Sequence, residues 1–139
     1  RVELPKAAAV DSNQHERKSF YRFLIPILLI VNLGLYFSGQ SYQTLISFGL
    51  ATLLLITLQI VNVYIKASIH VSVNVYLAYL LAEINVEIAL IFGVFVLLIA
   101  WSRLLLQRHK PIEIFLGLII GNIYGLIYWQ LIETKNPLF

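Results

Sequence analysis

Apolar residues in this chain come in long unbroken runs rather than in the strict alternation of a half-buried strand. A helix needs about 20 apolar residues to cross about 30 Å of hydrocarbon, and on that measure the runs predict membrane helices. They cover roughly residues 20–38, 42–65, 68–83, 85–102 and 111–132. The first and third are short for a perpendicular crossing. Phe20, Tyr21, Tyr36 and Phe37 nevertheless give the first run aromatic residues at both ends, where amphipathic rings settle at the lipid–water boundary. Trp101 and Trp129 read as anchors of the same kind. A barrel is excluded, because stretches such as 84–101 do not alternate and lipid leaves no other way to satisfy the backbone than a helix or a closed barrel. The expected fold class is all-α, a polytopic membrane helix bundle with about five transmembrane helices.

Almost nothing joins the third and fourth runs, so a turn at 82–86 folds them into a tight antiparallel hairpin. Glu83, Asn85 and Glu87 read there as a solvated turn. Gly117, Gly121 and Gly125 recur at every fourth residue of the last run, which predicts a close helix contact. Residues 1–19 differ in kind. Polar and charged, with Pro5, an alanine run at 7–9 and no apolar period, they read as a polar N-terminal arm ahead of one membrane-embedded helical domain, 20–139. The chain opens on Arg1 and contains no methionine, so a processed or cut N-terminus is expected, with any upstream motif outside this sequence.

Composition narrows the function classes. Hydrophobic residues make up 60% of the chain and charged residues 12%, against about a quarter charged in a soluble domain. A water-soluble domain, disorder and a free-standing nucleic-acid binder are excluded. There is no cysteine, which removes disulfide scaffolds, thiolate metal sites and cysteine nucleophiles. The net charge of +3 is small, but its placement is uneven. The arm, the connection at Lys66 and the connection at 103–110 share one face, which collects every Lys and Arg except Lys135. The positive-inside rule makes that face cytoplasmic. Cations serving a phosphate site would bias the count in the same direction.

Ionisable groups at membrane depth are costly, so each asks for a reason. Lys66, Ser68, His70, Ser72 and Asn74 cluster at the start of the third helix, and the stretch from Ser102 to Glu113 joins the fourth to the fifth. Ser68 is a good N-cap, and Pro111 suits the first position of the fifth helix, so two helix starts with open N–H groups face the same side. Arg103 offers a planar fork and Lys66 a point charge to an anion between them. Glu113, in the first turn, can accept an N–H of His109 and leave its other nitrogen facing the anion as a nucleophile. His70 can protonate a leaving oxygen. A zinc site from His70, His109 and Glu113 is chemically conceivable, but the surrounding cations oppose a dication, and no metal or cofactor is expected. Arg108 and Lys110 read as residues that reach for lipid headgroups.

Ser102-Arg103, then His109 after five residues and Glu113 after three more, resembles the third signature of the type 2 phosphatidic acid phosphatase family, the membrane branch related to vanadium haloperoxidases. Pro111, Gly117 and Gly121 continue the likeness. Ala67-Ser68-Ile69-His70 resembles the second signature, Pro-Ser-Gly-His. Lys66 two residues before Ser68, with the His15–Lys18 stretch, looks like a divergent bacterial subgroup. The resemblance covers about residues 60–130. It implies His109 as a nucleophile forming a phosphohistidine, Glu113 as its orienting acid, His70 as general acid, and Arg103 and Ser68 as phosphate ligands. Glu113 stands in place of Asp, Ile69 in place of Gly and Ala67 in place of Pro. The first signature, Lys with six residues before Arg-Pro, has no match, and Lys66, Arg17 or Arg22 would have to substitute for it. The family core has six spans against the five read here.

These observations lead to an integral-membrane phosphatase for a lipid or isoprenoid phosphate, surrounded by membrane lipids, with the bacterial inner membrane as the implied location and no nucleic-acid partner. The family more often works at the outer face, against the cytoplasmic face given by the charges. The altered signatures leave open a catalytically degenerate accessory subunit with membrane protein partners, and the same site would also suit a lipid-phosphate transferase.

Overall fold

Helix ends fall where the sequence supplies caps. Ser41 Oγ accepts from the Thr44 N–H at 3.3 Å, and Ser68 Oγ accepts from the Val71 N–H at 3.4 Å. Asn85 is the whole connection between two helices: its N–H closes the earlier one on Leu81, while its Oδ1 accepts from Glu87 and Ile88 at 2.8 and 3.2 Å. Gly39 takes φ 72, and the bonds from Gly39 to Tyr36 and from Gln40 to Leu35 close the first helix in a Schellman turn.

The computed structural model describes residues 6–107 and 110–135, with the backbone alone for 6–18 and 135. In chain order the elements are α1 (Lys6–Phe37), α2 (Tyr42–Tyr64), α3 (Ile69–Ile84), α4 (Val86–Leu105) and α5 (Pro111–Lys135), with no strand among the described residues. The apolar runs and the helices agree to within a few residues, except at the start. There α1 runs back to Lys6, so most of the polar arm is helical backbone continuous with the first span. Alanines, Gln14, Glu16, Arg17 and Lys18 favour the helix without needing an apolar face.

Four of these helices carry stretches long and apolar enough to cross a membrane: Ser19–Phe37, Tyr42–Tyr64, Val86–Leu105 and Pro111–Thr134. The exception is α3, whose 16 residues rise only about 24 Å. It compensates by being central. Ile69, Val73, Tyr76 and Leu80 join the core with α2 and α5, around Leu54, Leu58, Ile120 and Tyr128. Val71 and Val75 face Val96 and Ala100 of α4 and Ile114 of α5. Against α5 the approach is closest: a Cβ on Gly117 would lie 2.9 Å from the Ser68 carbonyl oxygen, and one on Gly121 2.6 Å from that of Ser72. The close contact expected from the glycine spacing is therefore present, and Ser72 Oγ seals it by donating to the Gly117 carbonyl at 2.8 Å. By contrast, α1 packs on α2 and α4 on α3, and both show large apolar side chains outward, such as Phe23 and Leu90. Lipid is the solvent that suits such surfaces.

Candidate active site

The connections sort cleanly between two ends. At one end Asn62, closing α2, donates to the Tyr21 hydroxyl of α1, and the Ser68 N–H donates to the Glu113 carbonyl of α5 at 3.2 Å. At the other end Gln43 of α2 donates to the Tyr128 hydroxyl, which in turn donates to Glu83 at 2.6 Å. Glu83 is thus an inter-helix partner, a correction to its reading as part of a solvated turn. Its carboxylate accepts the hydrogen bond that a buried tyrosine hydroxyl has to place somewhere.

At the first end the starts of α3 and α5 meet the end of α4. Val71, Ala100 and Ile114 are buried in one cluster. They are the chain neighbours of His70 and Glu113, and Ala100 lies one turn before Arg103. Lys66 and Arg103 are both half-buried there. Two helix starts and these cations make this end attractive to an anion. Among the residues whose side chains are described, Glu83, Glu87 and Glu133 lie at the opposite end, and Glu113 is the carboxylate at this one.

The candidate residues other than His109 have definite places. Ser68 is fully buried between α3 and Gly117, with its Oγ capping Val71, so its first contribution is to fix the start of α3. Glu113 Oε2 accepts from the Lys110 N–H at 3.1 Å, the return half of a capping box. That contact brings the carboxylate back to the residue directly after position 109. His109 and Arg108 lie outside the described residues, so the expected His109–Glu113 contact is outside them as well. His70 is exposed. With about 100° per residue, it falls on the side of α3 opposite Ser68 and Ser72, the residues packed on α5. Its Cβ leans toward the helix start, as every helical Cβ does.

Gln107 adopts φ 54, the left-handed conformation that ends α4 and turns the chain toward 108–110. Nothing in the residue pattern announced this, since glycine is the usual occupant. Asn62 was also missed: its Oδ1 accepts from the Ala67 N–H at 3.0 Å. The one available signal was an amide near the end of a mostly apolar run.

The family model described as PAP2 superfamily matches residues 18–137. No curated protein and no solved structure matches the chain. The matched segment includes every candidate site residue and all of α2, α3 and α4. The chain therefore belongs to the PAP2 superfamily, the type 2 phosphatidic acid phosphatase family, as an integral-membrane helix bundle of a phosphatase-type family.

Proposed function

We propose that this protein is a membrane phosphatase that releases phosphate from a lipid or isoprenoid phosphate through a phosphohistidine on His109. A nitrogen of His109 attacks phosphorus while the bond to the leaving oxygen breaks, and His70 supplies the proton that this oxygen takes. Water, giving a proton to the now neutral His70, then attacks the phosphohistidine, the P–N bond breaks, and inorganic phosphate leaves. Glu113 holds the imidazole by its other N–H, while Arg103, Lys66 and the α3 start neutralise the phosphoryl oxygens. Ser68 frames that start and adds its hydroxyl as a ligand. Positioning and charge neutralisation are what phosphoryl transfer mainly requires.

The observation that carries this reading is the buried contact of Val71, Ala100 and Ile114, which gathers the neighbours of His70, Arg103 and Glu113 at one end of the bundle. An aliphatic tail in the bilayer and a phosphate at its edge suit such a place, and the bacterial inner membrane is part of the proposal. The test is phosphate release from phosphatidic acid and from an isoprenyl pyrophosphate by the purified chain. His109→Ala should lose at least about a thousandfold in rate; equal rates would end the catalytic proposal.

One observation favours a second reading. Glu113 and Ser68 both cap helix starts, so the motif residues would also be retained in a non-catalytic subunit of a membrane assembly. Copurification with larger membrane partners, together with no phosphate release and no response to vanadate, would select it.

A further inference from the structure

Asn62 uses its side-chain amide on three sides. Nδ2 donates to the Leu58 carbonyl at 2.6 Å, one turn back in α2, and to the Tyr21 hydroxyl of α1 at 3.1 Å. Oδ1 accepts from the Ala67 N–H at 3.0 Å. Ala67 and Ser68 are consecutive, yet their N–H groups go to different elements, the first to Asn62 and the second to the Glu113 carbonyl of α5. Ala67 is 3% exposed, Ser68 0% and Tyr21 1%. The connection that carries Lys66 and begins α3 is thus gripped between α2 and α5, and on the α2 side Asn62 supplies the side-chain bond to it. An apolar residue at position 62 would leave a buried N–H to find another acceptor, and the connection would have to shift to let it do so.

We propose that Asn62 is a positioning residue of the phosphate site, which sets the place of Lys66 and of the α3 start and ties both to α1 through Tyr21. The inference rests on the phosphatase reading above. It gives α1, which packs only at the edge of the bundle, a direct line to the site. It also explains an amide placed near the end of a helix whose other core-facing residues are mostly aliphatic.

Asn32 offers a control inside the same molecule. Its Nδ2 donates to the Leu28 carbonyl and to Thr52 Oγ1, each at 2.7 Å, so it also joins α1 to α2 by a bond to a hydroxyl and a bond one turn back. Thr52 lies about 15 Å along α2 from Asn62. The full chain in lipid vesicles is compared as wild type, Asn62→Leu, Asn62→Asp and Asn32→Leu. The readouts are kcat and KM for phosphate release from phosphatidic acid, thermal unfolding, and amide exchange at Ala67. Asn62→Leu should lower kcat/KM by about 10-fold to 100-fold and speed exchange at Ala67. Asn32→Leu should lower the unfolding temperature about as much as Asn62→Leu does, with both other readouts near wild type. Asn62→Asp keeps an oxygen facing the Ala67 N–H but sets a second acceptor against the Leu58 carbonyl, so it should slow exchange at Ala67 relative to Asn62→Leu and recover only part of the kinetic loss.

Equal kinetic losses in Asn62→Leu and Asn32→Leu would overturn the proposal, as would unchanged exchange at Ala67 in Asn62→Leu, or fast exchange with wild-type kinetics. A wild-type chain that releases no phosphate overturns the phosphatase reading instead. Faster Ala67 exchange confined to Asn62→Leu would then still support Asn62 as the holder of this connection.

Discussion

Ser68 shows how one residue can hold two helix ends together. Its hydroxyl oxygen accepts from Val71 and its N–H reaches Glu113, so the residue aligns two helix starts before any substrate arrives. Glu113 does the corresponding work for α5 through Lys110. Arg103 is different: half-buried in the last turn of α4, it presents a guanidinium where the helix starts already favour an anion. A planar fork holds two phosphoryl oxygens at once, whereas an ammonium is a point charge. We therefore expect Arg103→Lys to keep the fold and lower kcat/KM for phosphate release by roughly 10-fold to 100-fold. Kinetics at wild-type level would show that this charge acts only as a general attraction. The chemical identity of these residues was legible in the sequence because each is an ionisable or capping group in an apolar context. Asn62 and Gln107 were not legible, since their parts depend on a neighbour's N–H and on a backbone angle.

At the scale of elements, α3 is the piece on which the bundle turns. Too short to span by itself, it is held against α5 by backbone contact at Gly117 and Gly121. Without a hydrophobic drive between helices in lipid, such close approach is what gives association its dispersion energy. Gly121→Ala would force a methyl group to within 2.6 Å of the Ser72 carbonyl oxygen and 2.9 Å of Val75 Cβ. Because the first of these is backbone, the helices have to separate. We expect a loss of about 1–3 kcal/mol in stability, read as a fall in the thermal midpoint in detergent. Gly93→Ala, where a Cβ meets nothing within 4 Å, should be near neutral. Similar midpoints for the two variants would remove the close contact as the basis of α3–α5 packing. The spacing of the glycines predicted that a contact exists; that its partner is the start of α3 came from the fold.

For the whole molecule, sidedness is the consequence that matters. Lys66, Arg103 and the starts of α3 and α5 share one end, and the Gly39 and Asn85 turns share the other. The chain has no cysteine, so single-cysteine variants report position without background. Lys110→Cys and Glu87→Cys, both at exposed residues, should react with a membrane-impermeant maleimide from opposite sides of sealed vesicles. Labelling of both from the same side would contradict the bundle. Which of the two is reached from the cytoplasm decides between the charge count and the outer-face habit of the family.

The sequence by itself determined that this chain is a bundle of membrane helices, where their apolar stretches run, and which ionisable residues stand at their ends. These follow from local quantities: the length of an apolar run, a cap, a glycine period. Only the tertiary structure decided that α3 is the central helix, that Glu83 is a partner of Tyr128, and that Asn62 holds the connection before Ser68. Such pairings join residues far apart in the chain, and nearly uniform apolar runs carry little information about which face meets which. In lipid that choice is made by small residues and buried hydrogen bonds, whose partners exist only once the helices are side by side.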